Sequence, residues 1–149
     1  METKESNPKD AVGVRKAPLH NIPCEVEFEL GLAMLEGARK YGSHNYRKVG
    51  VRASVYYDAV MRHMKAWWEG EDYDPESGTH HLVKAMACET VARDSMHMGN
   101  FIDDRPIRLP LGANVQAMNK LAAEIIDRYP EAKAPFTNVS GEQVIGDGE

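Results

Sequence analysis

Three chemically active side chains stand at a regular spacing in the middle of this sequence. Glu76, His80 and Lys84 follow one another at intervals of four, so on a helix they would share one face. Carboxylate and neutral imidazole are good ligands for Mg²⁺, Mn²⁺ or Zn²⁺. His63, in an apolar stretch, and Glu36 could complete such a set. A structural ladder of ion pairs, with His63 as a hydrogen-bonded core residue, would explain the same residues.

The charged residues are segregated along the chain. The net charge is −5, from 18 basic and 23 acidic residues. Residues 69–76 contain five acids and no base, whereas residues 37–57 contain five bases and no acid. A metal-bound polyphosphate would use both segments, with carboxylates toward the cation and bases toward the phosphate oxygens. Solvated loops of opposite charge that attract each other would give the same pattern.

Length and composition exclude several classes of protein. The 149 residues suit one ordinary domain, and no apolar run is long enough to span a membrane. An acidic chain is poorly suited to binding duplex nucleic acid.

The first residues contain no apolar signal segment, so we expect a cytoplasmic location. Cys24 and Cys88 are too few for a disulfide framework and are expected to be buried, reduced thiols.

Apolar periodicity predicts four helices and little that resembles a strand. The predicted helices cover residues 23–41, with Asn21 as a cap, residues 54–70, a segment that begins at Asp74-Pro75-Glu76, and residues 113–129. Residues 82–92 are apolar nearly all round, which marks the most buried helix. We therefore expect an all-α bundle of about four helices, with a loose arm over 1–20, a domain over 21–130 and a tail over 131–149.

Several separated motifs resemble one known family. They are Glu36-Gly-Ala-Arg-Lys-Tyr-Gly, Asn45-Tyr-Arg, Arg62-His63, the acidic run from Trp67 to His80, and Asp103-Asp-Arg-Pro. Together they resemble the phage dATP/dGTP diphosphohydrolases, relatives of the all-α MazG-type nucleotide pyrophosphohydrolases, over about residues 20 to 108. The resemblance implies a MazG-like fold and hydrolysis of a purine deoxynucleoside triphosphate to monophosphate and pyrophosphate, which would reshape a phage's nucleotide pool.

The metal ligands cannot be copied from that resemblance. MazG-type enzymes use paired Glu-x-x-Glu and Glu-x-x-Asp motifs, which this sequence replaces by Arg62-His63 and by Glu76 with His80. We predict that one or two Mg²⁺ or Mn²⁺ ions are held by residues from separate parts of the bundle, namely Glu36, His63, Asp74, Glu76 and His80. Glu71 or Asp72 would be the general base.

The predicted substrate-binding residues are basic, amide and aromatic side chains. They are Lys40, Tyr41, Asn45, Arg47, Arg62, Trp67 and Lys84. The basic groups would hold phosphates, Asn45 would reach the base edge or the sugar, and Tyr41 or Trp67 would stack on the purine.

A site built from several helices can be shared between subunits, so we expect a homo-oligomer. The tryptophan of the Trp67–Trp68 pair that faces outward and the fourth helix are candidate contacts. Two other functions fit the same residues: a non-catalytic helical interaction protein, and a divalent-metal hydrolase of another phosphate ester.

Overall fold

The computed structural model describes residues 7–138, and these residues form helices with no strand beyond two isolated bridges. The helices are α1 (Pro8–Gly13), α2 (Cys24–Tyr41), α3 (Asn45–Val49), α4 (Ala53–Trp68), α5 (His81–Met98) and α6 (Gly112–Arg128). The chain divides into two compact units, Met1–Pro106, which contains α1 to α5, and Ile107–Glu149, which contains α6. The predicted all-α fold is confirmed.

The ends of the chain differ in part from the prediction. Residues 1–6 of the predicted arm and residues 139–149 of the predicted tail lie outside the described residues. Within the arm, Pro8 in the first turn and the Asn7 side chain, which accepts from the backbone N–H of Lys9, start the short helix α1. The unit boundary at Pro106 falls inside the predicted domain of residues 21–130, whose limits stay a prediction.

Helices α2, α4 and α6 begin and end within a few residues of their predicted limits. The cap of α2 is Pro23, without a side-chain hydrogen bond, so the prediction that Asn21 caps this helix is wrong. Gly42 ends α2 with φ at 94°, a conformation that glycine adopts without steric strain.

The third predicted helix begins at His81, not at Asp74. Asp74 closes a turn: its carboxylate accepts from Ser77 Oγ at 2.8 Å and from the backbone N–H of Glu76 at 3.3 Å. Gly78, with φ at 70°, completes the turn by donating its N–H to the carbonyl of Asp74 at 2.7 Å. Asp74 is therefore a turn residue and not a helix cap.

This later start removes the predicted helical ladder of Glu76, His80 and Lys84. Glu76 lies in the turn, and His80 is the N-cap of α5, where its Nδ1 accepts from the backbone N–H of Leu82 at 3.1 Å. Only Lys84 lies within the helix. The three side chains cannot share a helical face, because the backbone that carries the first two is not helical.

Helix α5 is the centre of the first unit, since α2, α3 and α4 all pack against it. This confirms that its nearly all-round apolar sequence marks the most buried helix. The buried positions of the unit include three alanines and a serine, which lets the helices approach closely: Ala33, Tyr46, Val51, Ala53, His81, Val83, Ala85 and Ser95.

Asn100, in the segment after α5, connects α3 to α5 through side-chain hydrogen bonds. The hydroxyl of Ser95, which has no exposed surface, donates to Asn100 Oδ1 at 2.7 Å. Asn100 Nδ2 donates in turn to the carbonyls of Tyr46 and Arg47, at 3.1 and 2.9 Å. Gly50 lies against this junction with φ at 73°, and a Cβ there would stand 2.2 Å from the backbone oxygen of Asn100. Only glycine fits at this position.

The two cysteines differ in exposure. Cys24 is exposed and Cys88 is half-buried, so the prediction of two buried thiols is wrong for Cys24. Neither cysteine forms a disulfide.

Among the described helices, none combines the length and the apolar character that a membrane crossing requires.

We predict that Gly50→Ala destabilises the protein by about 3 kcal/mol, because the new methyl group forces backbone apart at Asn100. Urea unfolding followed by circular dichroism measures the change. Gly37→Ala, inside α2 where a Cβ meets nothing within 4 Å, is the control and should be neutral or stabilising. Equal stability of the two variants would contradict the assignment of the Gly50 contact.

Candidate functional site

A cavity of about 290 Å³ opens between α2, α3, α4 and α5. Its apolar wall is formed by small and aliphatic side chains, namely Ala33, Met34, Ala38, Ala87 and Val91. Its polar groups come from the end of α2, the turn after it and α5, and include Glu36, Lys40, Tyr41, Ser43, Asn45 and Lys84. An apolar wall with a few converging polar groups is typical of a small-molecule site.

The charged group of this cavity is a carboxylate held between two ammonium groups. Lys40 Nζ donates to Glu36 Oε1 at 2.6 Å, and Lys84 Nζ donates to Glu36 Oε2. These hydrogen bonds, Lys40 first and Lys84 second, lower the pKa of Glu36. Lys84 is only 17% exposed, so its charge is poorly solvated and needs an anionic partner. Lys40 Nζ also donates to Glu76 Oε1 at 3.4 Å, so each lysine has a carboxylate partner at the cavity wall.

Aromatic and thiol groups line the side of the cavity near α3 and α4. Tyr41 is exposed at the rim, whereas burial raises the pKa of Tyr56. Burial also raises the pKa of the Cys88 thiol, which keeps it protonated at neutral pH. His44, next to Asn45, has φ at 57°, a left-handed backbone conformation that costs a non-glycine residue energy.

A second polar group lies at the start of α5. His81 Nε2 and Glu71 Oε1 are 2.7 Å apart, and the Nδ1 atoms of His81 and His63 are 2.9 Å apart. The side chain of His81 is buried, while that of Glu71 reaches solvent. The backbone N–H of His81 donates to the carbonyl of Asp72, which fixes the turn against α5.

This hydrogen-bonded chain determines which nitrogen carries each proton. The Glu71 carboxylate can only accept, so His81 Nε2 carries a hydrogen and its Nδ1 is an acceptor in the neutral ring. His63 Nδ1 must then donate to His81, which leaves the Nε2 lone pair of His63 free. Burial, followed by the charges of His81 and Lys84, lowers the pKa of His63, so this base is neutral at pH 7.

Lys84 connects the cavity to this histidine pair electrostatically. Its charge helps to lower the pKa values of Glu36 on one side and of His63 on the other. It also acts on Asp74: burial raises the pKa of Asp74, but hydrogen bonds from Ser77 and Glu76 outweigh it and lower that pKa overall, with help from Lys84. An anion at Lys84 would therefore lie within the electrostatic reach of His63.

The five predicted metal ligands do not converge in this chain. Over residues 7–138, no three His, Cys, Asp or Glu side chains form a group that could hold a metal ion. Both carboxylate oxygens of Glu36 are bound by lysines, and His63 faces His81. The Asp74 carboxylate is used by its turn, the His80 ring caps α5, and Glu76 Oε1 accepts from Lys40 Nζ at 3.4 Å. Most of the predicted ligand atoms are thus engaged by other protein groups, whereas His63 Nε2 keeps its lone pair.

The predicted substrate-binding residues separate into two sets. Lys40, Tyr41, Asn45 and Lys84 all line the cavity. Arg47, Arg62 and Trp67 are not among its lining residues; Arg47 instead forms a bidentate pair with Asp94, at 2.7 and 3.2 Å. Of the two predicted general bases, Glu71 is engaged with His81, and Asp72 contributes its backbone carbonyl to His81.

Sequence reasoning missed His81 because it placed the start of α5 too early. With the helix starting at His81, Lys84 and Cys88 follow at i+3 and i+7 on the same face. The signal was present in Asp74-Pro75-Glu76-Ser77-Gly78, where glycine three residues after proline is typical of a turn and interrupts a helix. Tyr56 and His44 carried no distinguishing signal.

The fold and the site define an all-α protein with a small cavity, whose wall carries two lysines paired with Glu36, beside a hydrogen-bonded pair of histidines. Comparison with known proteins specifies the family. Residues 6–105 match the family model described as dATP/dGTP diphosphohydrolase, N-terminal, so the chain belongs to this family.

A curated relative agrees with this membership. The dATP/dGTP diphosphohydrolase of Salmonella phage PMBT28 is 34% identical over 70 residues. The aligned part covers 47% of this chain and only 23% of the relative. No solved structure matches the chain significantly.

We predict that His63→Gln weakens the pH dependence of stability. Because burial lowers the pKa of folded His63 below its ordinary 6.5, the unfolded chain binds a proton more readily, and stability falls as the pH drops through and below 6.5. The melting temperature should fall less between pH 7.5 and 5.5 in His63→Gln than in the wild type. His20→Gln, at an exposed position, is the control with wild-type behaviour; an unchanged slope in His63→Gln would contradict the assignment.

Proposed function

We propose that this protein hydrolyses dATP or dGTP between the α and β phosphates, which yields the monophosphate and pyrophosphate. Family membership and the name of the phage relative support the substrate class. The observation that carries the proposal is the pair of lysines that share the carboxylate of Glu36 at the wall of a small-molecule cavity. A triphosphate offers these ammonium groups a stronger anionic partner than one carboxylate does.

In this arrangement the purine enters the apolar part of the cavity and the phosphates extend past Lys84. Met34 and Val91 provide apolar contact for the ring, Tyr41 at the rim can stack on it, and Asn45 can hydrogen-bond its edge. Lys40 and Lys84 then neutralise the charge that develops on the departing pyrophosphate.

We propose His63 as the base that activates water. A water oxygen attacks the α phosphorus, its proton passes to His63 Nε2, and the bond from this phosphorus to the bridging oxygen breaks to release pyrophosphate. Glu71 acts through His81, stabilising the imidazolium that forms, so it is a positioning residue. This replaces the sequence prediction in which Glu71 or Asp72 takes the proton directly.

The requirement for Mg²⁺ or Mn²⁺ is a separate proposal. Since residues 7–138 contain no group of three ligand side chains, we propose that the cation enters as a complex with the triphosphate, as part of the substrate. The reaction would lower dATP or dGTP concentrations, and we propose that it shapes a phage's nucleotide pool.

We predict that Lys84→Met lowers kcat/KM for dATP or dGTP about 100-fold, because the leaving pyrophosphate loses a charge partner. Chromatographic assay of monophosphate and pyrophosphate, with Mg²⁺ or Mn²⁺ present, measures the effect. Lys65→Met, on the exposed side of α4, is the control and should retain activity.

No turnover of any deoxynucleotide by the wild type would favour a non-catalytic interaction protein. Release of inorganic phosphate would indicate another phosphoester hydrolase.

We predict that His63→Asn reduces kcat about 100-fold and removes the acidic limb of the pH–rate profile, which the wild type shows below pH 6.5.

Glu71→Gln should lower kcat about tenfold and move this acidic limb to lower pH, because the His63 imidazolium loses the carboxylate that stabilises it through His81. The matched control Glu69→Gln should leave the profile unchanged. A profile in which Glu71→Gln abolishes the limb would identify Glu71 as the base itself.

A further inference from the structure

The cavity extends along α5 well beyond the lysine that is proposed to hold the phosphates. Lys84, Cys88 and Val91 line it from α5, at intervals of four and three residues. At the rise of an α-helix, the lined part of α5 is about 10 Å long, and Lys84 marks one of its ends. With the phosphates at Lys84, the nucleoside lies toward Val91, at what we call the inner end of the cavity.

Tyr46 reaches the cavity from this inner end. Its backbone carbonyl, at the start of α3, accepts from Asn100 Nδ2 at 3.1 Å, and Asn100 Oδ1 accepts in turn from the hydroxyl of Ser95. Ser95 lies one helical turn beyond Val91 on α5. The backbone of Tyr46 is therefore attached near the Val91 end, while its side chain lines the cavity.

The hydroxyl of Tyr46 has no partner within the described part of the protein. Only 8% of this residue is exposed, and no described group forms a hydrogen bond with its side chain. Over residues 7–138, no buried side-chain oxygen lacks both a partner and contact with open space, so the hydroxyl must touch the space that Tyr46 lines, which is the cavity. An unpaired polar group in a nearly buried residue is costly unless a ligand or water satisfies it.

Tyr56 adds a second uncharged polar group at the same place. It lines the cavity from α4 and is half-buried, and its hydroxyl also lacks a hydrogen bond to the residues that the structure describes. Burial, followed by the electrostatic effects of Cys88, Tyr41 and Tyr46, raises its pKa. The two tyrosines are thus within electrostatic reach of each other, at a distance from the lysines.

A phenolic hydroxyl suits a ligand edge that is a donor in one substrate and an acceptor in another. It can donate one hydrogen bond and accept another. Adenine carries an amino donor at position 6, where guanine carries a carbonyl acceptor. A carboxylate could only accept and an ammonium could only donate. Among the cavity-lining residues these two kinds of group, Glu36, Lys40 and Lys84, are paired with one another and leave the hydroxyls of the inner end uncharged.

We propose that the hydroxyl of Tyr46 contacts position 6 of the purine, donating to the carbonyl of guanine and accepting from the amino group of adenine. This inference rests on the proposed function, because it takes the direction of the nucleotide from the phosphates at Lys84. It makes Tyr46 a specificity-determining residue that allows one cavity to bind both purines, with no role at the phosphorus.

Four deoxynucleoside triphosphates test the proposal: dATP, dGTP, and the triphosphates of purine and 2-aminopurine deoxyriboside, which match them but carry only hydrogen at position 6. The wild-type kcat/KM should be about tenfold higher for dATP and dGTP than for the matching analogue. Tyr46→Phe, which keeps the ring, should lower kcat/KM about tenfold for dATP and dGTP and leave both analogues within about twofold, because only the hydroxyl contact is lost. Tyr57→Phe, at an exposed position of α4, is the matched control with wild-type ratios.

An equal loss of activity toward all four nucleotides in Tyr46→Phe would overturn the proposal, since a general disturbance of the cavity does not distinguish position 6. A loss toward only one of the two natural purines would overturn it as well.

Direct binding separates this inference from the proposed function. If the wild type hydrolyses none of the four nucleotides, the proposed hydrolysis is wrong, and the same nucleotides can be titrated by calorimetry. Kd values about tenfold lower for dATP and dGTP than for their analogues, made equal by Tyr46→Phe, would still support the contact at position 6. Equal Kd values in the wild type would overturn it.

Discussion

The carboxylate of Glu36, bound between Lys40 and Lys84, is the interaction on which the site depends. It joins α2 to α5 through charged groups in a contact that is otherwise formed by small apolar side chains. Lys84 lies on the most buried helix and is largely enclosed, so its charge is tolerated only because Glu36 accepts from it. The arrangement places two ammonium groups at the cavity wall, and Lys40 also donates to Glu76 at 3.4 Å. Removing either partner of the Lys84–Glu36 pair would leave the other charge without its partner in a largely enclosed place.

The position of the first residue of α5 decides the rest of the site. Because His80 caps the helix, His81 enters the first turn and turns toward His63, while Lys84 falls toward α2. The acidic turn before the cap, closed by Asp74 and Gly78, then brings Glu71 back to His81. The start of α5 thus places His81 in the hydrogen-bonded chain with Glu71 and His63. It places Lys84, one turn later, at the cavity wall. The two groups are electrostatically coupled through Lys84 without sharing a ligand.

The two sides of α2 have different surroundings. One side packs toward α5 and supplies cavity residues, and the other carries an exposed apolar stripe formed by Phe28, Leu32 and Leu35. The buried apolar positions of the first unit are few and mainly alanine and valine, so a core of this size gains little from burial alone.

The sequence by itself determined the helical class and three of the four long helices, and it singled out Lys40, Tyr41 and Asn45, which the structure places at the cavity. These follow from local causes, since apolar periodicity and glycine ends act within a few residues, and the basic segment from α2 to α3 is continuous in the chain. Tertiary structure alone decided that Glu36 would also bind Lys84, that Arg47 would pair with Asp94, and that His81 would meet His63. Those outcomes depend on which side chains of distant segments reach each other, and a helix start misplaced by seven residues assigns Glu76 and His80 to a helical face that they do not share.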